Sequence, residues 1–335
     1  MLTPLLVQPG SGGRISGGFL YNSRLAEQGL WQLLDVQPER LSDLASLSPE
    51  QPLLLDSIWL TPEHAEPFLR LAARGHRVGV MLHSFPSLIL AAEAAQPAPE
   101  APSAFELETL ARLGIVVVPG HHYAAHIARS GARLVLAEPG LDAGWRAPPR
   151  PRRGACRLVS VGAVTPRKGF LDIAEILLGR SELNDYEWRV LGSLEVDPGY
   201  AERVRERTAS LPGVQLLGQL PPSEVQRQLR SADLLLLPSY DENQPLVLLE
   251  AMAASVPSIA YAAGAAHRML EHEREGLITP IGDRQRFGAY LEQLLGDEQR
   301  RQAFASACWQ RQQSLPSWPE AAARARRELA GVWPA

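Results

Sequence analysis

Leu158-Val159-Ser160-Val161-Gly162-Ala163-Val164-Thr165-Pro166-Arg167-Lys168-Gly169 is a largely apolar run that ends in a loop carrying glycine, proline and two adjacent cations. Apolar residues at consecutive rather than alternate positions suit a strand buried on both faces, hence a parallel sheet covered by helices. A helix-period segment, Leu171–Leu178, follows and completes a strand–loop–helix unit. Cations at the carboxyl end of a parallel strand, beside a helix N-terminus, make a diphosphate site.

The same unit recurs in both directions. Arg157–Val161, Trp188–Leu191, Val214–Leu217, Leu234–Leu237 and Ser258–Ala260 read as strands, and Ala201–Ser210, Ser223–Arg230, Leu246–Ala254 and Arg284–Leu295 as helices. Upstream, strands are expected at Leu5–Val7, Leu53–Asp56, Val78–Leu82, Ile115–Val118 and Leu134–Ala137, with helices such as Leu20–Gln28, Glu63–Ala73 and Phe105–Arg112. Between the halves, Trp145 to Gly154 is rich in proline and arginine without periodicity, which suits an interdomain linker. Trp318 to Trp333 reads as a final helix introduced by Ser317 and Pro319. The expected architecture is α/β, with tandem Rossmann-like βαβ domains at 1–150 and 151–315 and a ligand site beyond the carboxyl ends of the strands, in the cleft between them.

Composition narrows the class. The 335 residues carry a net charge of -4, which argues against bulk nucleic-acid binding. Cys156 and Cys308 are too few for a disulfide framework and lack metal-ligand spacing, so a reducing cytoplasm is the default. The apolar start, Met1 to Val7, stops at Gln8-Pro9-Gly10, too short for a signal h-region. Val78–Ala92 is interrupted by His83 and Pro86 and falls short of the roughly 20 residues of a membrane helix.

Several chemistries lack their motif. Gly10-Ser11-Gly12-Gly13-Arg14-Ile15 begins like a dinucleotide fingerprint, but Ile15 stands where the third glycine belongs. There is no Walker A lysine, no Gly-x-Ser-x-Gly elbow and no His-Glu-x-x-His. His122 and His126 share helical spacing without an acidic or cysteine partner, so a surface or capping role outweighs a metal site. No Asp-x-Asp is present to anchor a divalent cation on a nucleotide diphosphate. Protein cations and helix ends must serve instead, and no cofactor is expected.

Two further segments fit the diphosphate loop. Ala232 to Met252 is a strand, a polar loop and a helix, with Glu242 in the loop and Glu250 two turns into the helix; Pro245 suits the first helical turn. Polyols are well recognised by carboxylates, each of which accepts charge-assisted hydrogen bonds from hydroxyls. In the first half, Ser16-Gly17-Gly18 opens a helix after the first strand, and its small residues admit a ligand to backbone N–H groups.

On these elements the chain resembles the retaining glycosyltransferases of family 4, the glycosyl transferases group 1, with the GT-B fold. Glu242 and Glu250, within Pro-Ser-Tyr-Asp-Glu…Leu-Val-Leu-Leu-Glu-Ala-Met-Ala, look like its E-x7-E element; Thr165-Pro166-Arg167-Lys168-Gly169 looks like its diphosphate loop. Pro139-Gly140-Leu141-Asp142 resembles the element closing the first domain, and the helix in 316–335 the one that crosses back onto it. The resemblance implies that Lys168, assisted by Arg167, neutralises the leaving diphosphate, that Glu250 binds the ribose, and that Glu242 contacts the transferred sugar. Asn243, Gln244, Pro245 and Leu246 would join the donor site, with Gly17 and Gly18 facing donor and acceptor. His83 stands where the family has a histidine near the reacting centre. Lys168→Ala is expected to cost turnover and spare the fold.

This sequence departs from the family at two points. Ala163 occupies a position that is often arginine, which leaves Arg167 to substitute. Asn243-Gln244-Pro245 replaces a glycine-rich loop, so side chains take over where backbone N–H groups would serve. The resemblance implies a metal-independent transfer from a nucleotide-sugar, UDP-linked first and GDP-linked next, in carbohydrate biosynthesis. The acceptor would be a carbohydrate, a lipid-linked sugar or a natural product. The implied location is cytoplasmic, with peripheral contact at the inner membrane face left open. A degenerate binding or scaffold subunit and a nucleotide-sugar epimerase are the rival readings. The apolar Pro86–Pro102 stretch reads first as core packing and second as an acceptor wall.

Overall fold

Short apolar strands alternate with helices along the whole chain in the computed structural model, which describes residues 2–10, 16–93, 101–150, 154–180, 183 and 185–333. The chain divides into two units, one made of Met1–Leu90, Pro99–Gly140 and Pro316–Ala335, the other of Ala91–Ala98 and Leu141–Leu315. Among the described residues no helix is long and apolar enough to cross a membrane.

The first unit runs β1 (Leu5–Gln8), α1 (Gly17–Glu27), β2 (Gln32–Asp35), β3 (Leu53–Asp56), α2 (Glu66–Ala73), β4 (Val78–Met81), α3 (Pro86–Glu93), α4 (Ala104–Leu113), β5 (Ile115–Val118), α5 (Ala124–Ser130) and β6 (Arg133–Leu136). Its strands form one parallel sheet in the order β2-β1-β3-β4-β5-β6. Leu53 and Leu55, Val78 and Val80, and Val116 and Val118 pack one face against Phe68 and Leu71 of α2 and Leu110 of α4. Removal of this much apolar surface from water is the main favourable term in such a core.

The second unit runs β7 (Cys156–Val161), α6 (Phe170–Leu178), β8 (Tyr186–Leu191), α7 (Pro198–Thr208), β9 (Val214–Gly218), α8 (Pro222–Ser231), β10 (Leu234–Leu237), α9 (Leu246–Ala253), β11 (Ser258–Tyr261), α10 (Ala266–Met269), β12 (Gly276–Thr279), α11 (Arg284–Gly296) and α12 (Glu298–Gln312). This sheet is also parallel, in the order β12-β11-β10-β7-β8-β9. Leu234 and Leu236 enter one apolar cluster while their neighbours Leu235 and Leu237 enter another, so both faces of β10 are buried. That is why its sequence is four consecutive leucines rather than an alternation.

A last helix, α13 (Trp318–Val332), belongs to the first unit. Ser317 and Glu320 form a capping box at its start, with the Glu320 carboxylate accepting from the Ser317 N–H at 2.8 Å. Trp318 is buried, its ring centroid 6.1 Å from that of Tyr21. A side chain on Gly140 would place its Cβ 2.3 Å from the Trp318 amide nitrogen, so only glycine lets the helix start seat here. Gly140→Ala is accordingly expected to cost about 1–3 kcal/mol by overpacking. Urea melts check this; an unchanged midpoint would mean that α13 does not seat there in solution.

The structure corrects the linker. Trp145 and Ala147 are buried, and the Ala147 N–H donates to the Ala253 carbonyl at 2.9 Å. The Arg146 guanidinium donates to the Gln312 carbonyl and side-chain oxygens and to the Leu315 carbonyl, at 2.8 to 3.0 Å. These residues bury an indole and tie their backbone to the second unit, which a solvated spacer does not do. The change of unit falls between Gly140 and Leu141 rather than at 150/151. Residues 151–153 of that stretch, 11–15 of the N-terminal glycine loop and 94–100 of the Pro86–Pro102 segment lie outside the described residues. Of that last segment, Leu88 is buried and Leu90 is 73% exposed.

Candidate functional site

A doubly wound sheet leaves a crevice where successive crossovers leave in opposite directions. In the second unit that point lies between β7, whose crossover leads to β8, and β10, whose crossover leads to β11. The loop after β7 carries Arg167 and Lys168, and the loop after β10 carries Glu242, Asn243 and Gln244. The topology thus brings together residues 74 positions apart in the chain.

Lys168 lies in a one-turn 3-10 helix, Pro166–Lys168, that ends in the left-handed Gly169 at φ 68°. A Cβ on Gly169 would lie 2.1 Å from the Pro238 carbonyl, so this glycine lets the β7 loop close onto the end of β10. Two hydrogen bonds fasten the loops together. The Tyr240 N–H donates to the Arg167 carbonyl at 2.8 Å, and the Arg167 guanidinium donates to the Asp241 carbonyl at 3.0 Å. The hydroxyls of Tyr240 and Tyr261 both donate to the buried Asp172 carboxylate of α6, at 2.9 and 2.7 Å.

Held this way, the Lys168 ammonium donates to the Glu242 carboxylate in a largely buried ion pair. Burial would raise the Glu242 carboxyl, but the charges of Lys168 and Arg167 outweigh it and hold it below the usual carboxylate range. Burial pushes the Lys168 ammonium down, against the opposing pull of Glu242. Arg167 is itself paired with Glu93, its Nε 3.4 Å from the carboxylate, so two cations and two carboxylates are fixed together here.

Pro245 is not in the first helical turn, as its sequence position suggests, but is the residue that caps α9, at φ -70° and ψ 101°. Its missing N–H costs nothing there, since the first N–H groups of a helix have no intrahelical partner. Asn243 is buried, its carbonyl accepting from the Ala265 N–H at 3.2 Å, while Gln244 and Leu246 are half-buried. Glu250 lies on the second turn of α9, half-buried.

The first unit holds the other candidates. Ser16 caps α1, its hydroxyl accepting from the Phe19 N–H at 3.3 Å, and Gly17 and Gly18 open the helix. A Cβ on Gly18 would lie 3.4 Å from the His83 ring, whereas one on Gly17 would meet nothing within 4 Å. A contact of 3.4 Å is ordinary van der Waals contact, so packing demands glycine at neither position. His83 follows β4, with its N–H donating to the Ser57 hydroxyl at 3.1 Å and its Nε2 2.9 Å from the Asn22 side-chain oxygen. Burial pushes the imidazole below its ordinary range, with Asp56 opposing. Among the described residues no group of three His, Cys, Asp or Glu is placed to hold a metal.

Sequence reasoning misses the supports of both clusters. Asp172 and Gly264 in the second unit, and Gln8, Asn22 and Asp56 in the first, carry no motif. A usable signal is present for Gln8 and Asp56, each a polar residue closing an otherwise apolar strand at its carboxyl end.

Residues 155–297 match the family model described as Glycosyl transferases group 1. The matched stretch contains Lys168, Glu242 and Glu250. Over 152 residues the chain is 29% identical to the amylovoran biosynthesis glycosyltransferase AmsK of Erwinia amylovora, a match covering 41% of this chain and 35% of that protein. It is 34% identical over 109 residues to a D-inositol 3-phosphate glycosyltransferase of Corynebacterium aurimucosum, covering 32% and 26%. The chain thus spans about a third or less of the length of these two curated relatives. Among solved structures, sucrose-phosphate synthase from Thermosynechococcus elongatus superposes with a TM-score of 0.79 at 16% identity, over 99% of both chains. Anabaena Alr3699/HepE, solved in complex with UDP and glucose, gives 0.77 at 15% identity, again over 99% of both chains. The fold is that of the GT-B glycosyltransferases.

Proposed function

We propose that this chain is a retaining glycosyltransferase of family 4 that needs no metal. It moves a sugar from a nucleotide diphosphate donor to an acceptor hydroxyl. The observation that carries the reading is the buried Lys168–Glu242 pair at the crevice of the second unit, with Arg167 beside it and Glu250 on the helix that follows. A site for a diphosphate next to a sugar needs cations for the first and carboxylates for the second.

The chemistry follows from that placement. As the glycosidic bond to the donor breaks, negative charge grows on the leaving diphosphate. Lys168 and Arg167 stabilise it where low local dielectric makes each interaction count, the kind of contribution worth about 3–4 kcal/mol per donor. Glu242 moves from its lysine to hydroxyls of the transferred sugar, and Glu250 accepts from the ribose. Arg167 supplies the second cation that Ala163 lacks. A same-face attack, in which the departing phosphate takes the acceptor proton, is the course that the resemblance to family 4 implies. A uridine donor is favoured because Alr3699/HepE has been solved with UDP and with UDP-glucose. A glycan acceptor is favoured by the name of the amylovoran relative.

The test is a nucleotide-sugar panel offered to the purified protein with a chelator present. Saturable binding of one donor, release of its nucleotide and transfer with retained anomeric configuration are expected. Activity that requires an added divalent ion would overturn metal independence. Failure of the folded protein to bind any donor would leave a binding or scaffold role. Conversion of the donor without nucleotide release would point to epimerisation.

A further inference from the structure

We infer that Asp35, Gln8, Asn22 and Asp56 form a hydrogen-bond relay that positions His83 in its Nε2–H tautomer and leaves Nδ1 as an acceptor for a ligand hydroxyl. The relay concerns the first unit alone; only its last step, a polyol ligand, rests on the proposed glycosyl transfer.

The direction of every bond follows from one end. Asp35 is an exposed carboxylate, which only accepts, so the group of Gln8 that faces it at 3.0 Å is the amide nitrogen. Gln8 must then turn its carbonyl oxygen the other way, where it accepts from Asn22 Nδ2 at 2.9 Å. The same Asn22 nitrogen donates to Asp56 Oδ2, also at 2.9 Å. Both amide protons of Asn22 are spent, and an inverted amide would set its oxygen against two other oxygens. Asn22 therefore presents Oδ1 to His83, and at 2.9 Å the ring nitrogen Nε2 has to be the donor. Asp56 Oδ2 lies 3.6 Å from the same nitrogen and favours a proton there.

The rest of the pocket holds the ring in that pose. The Asp56 Oδ1 accepts from the Ile58 N–H at 3.0 Å, which fixes the carboxylate. Tyr21 meets the imidazole edge-on, with centroids 5.4 Å apart, and Gly18 lies against it. Asn22 is fully buried and Asp56 nearly so, whereas the His83 side chain keeps 21% of its surface. Burial favours the neutral ring, which carries one proton. With that proton on Nε2, Nδ1 holds a lone pair, and among the described residues it has no partner. A lone pair at the open edge of a rigid ring accepts a hydrogen bond from a hydroxyl, the group a sugar offers most.

Asn22, Gln8, Asp35 and Asp56 are positioning residues in this scheme, and the readout is spectroscopic. Protein labelled with ¹⁵N-histidine, with His83 assigned by comparison with His83→Gln, should show a protonated Nε2 and an unprotonated Nδ1 at neutral pH. Asp35→Asn lies at the exposed end of the relay and should leave the melting temperature near that of the parent. It frees Gln8 to invert, but Asp56 Oδ2 still accepts from Asn22, so the Nε2–H tautomer should persist; Asp35→Asn combined with Asp56→Asn removes both carboxylates and should turn the single tautomer into a mixture. A protonated Nδ1 or a doubly protonated ring in the parent overturns the relay, as does a single unchanged tautomer in the folded double variant. Where transfer is measurable, Asn22→Leu should lower kcat at least about tenfold with little change in donor KM. Loss of KM alone would count against positioning. The expected tautomer in a protein that transfers no sugar would leave the relay standing and remove the enzymatic reading.

Discussion

Lys168→Ala is expected to lower turnover by about 10²–10³-fold and also to destabilise the second unit. The first effect is the loss of the cation that meets the leaving diphosphate. The second departs from what the sequence suggests, a variant whose fold is spared. Its cause is Glu242, only 8% exposed, which would be left with Arg167, itself paired with Glu93, as the cation beside it. Breaking a buried pair by deleting one partner costs about 3–5 kcal/mol, because the other charge stays buried. The pH dependence should change sign. In the parent, Glu242 is held below its ordinary 4.5, so its contribution is complete above that pH and is lost as the pH falls through the depressed value. With Lys168 gone, burial dominates and raises the carboxyl, so the variant loses stability as the pH rises through the new value. Urea melts at acid and neutral pH compare the two slopes. Lys168→Met combined with Glu242→Gln should recover stability without recovering activity. Near-normal turnover in the single variant would remove Lys168 from the mechanism.

Gly264→Ala should be the most damaging single-atom change near the site. Gly264 follows β11 and has φ 55°, and a Cβ there would lie 1.0 Å from the Glu242 carbonyl oxygen and 2.2 Å from its carbonyl carbon. Nothing at the end of a flexible side chain can give way, because both atoms are backbone. The loop holding Glu242 has to move by more than an ångström, and misplacement on that scale costs about 10²-fold in rate. The expected result is a loss of at least that size in kcat/KM, with a lowered melting temperature. A variant with parental kinetics would show that Glu242 need not stand where it does. Gly264 has no role that a motif search would assign, because what demands a glycine is the Glu242 carbonyl, distant in sequence.

The legible parts of this chain are those encoded locally. β5 and β10 start and stop where their aliphatic runs do, since strands buried on both faces are apolar throughout. β2 escapes because none of its four residues is buried, and β12 because only Leu277 and Ile278 stand between Gly276 and Thr279, too short an aliphatic run to read. Helix α12 escapes because only Phe304, Ala305, Cys308 and Gln312 of its 15 residues are buried, too few to print a period on the sequence. Trp145 looks like linker because prolines and arginines surround it, although its own ring is in the core.

By itself the sequence determined two parallel α/β units, the strand ends that carry Lys168, Glu242 and His83, and the spacing from Glu242 to Glu250. Each is set by residues within one element or one loop, so short-range sterics and burial leave their mark on neighbouring letters. Only the tertiary structure decided that Lys168 and Glu242 neutralise each other, that Gly264 holds Glu242, and that Asp35 reaches His83 through Gln8 and Asn22. Those are contacts between loops and strands that the sheet order brings side by side. Their energies depend on distance and dielectric in space, which order along the chain does not encode.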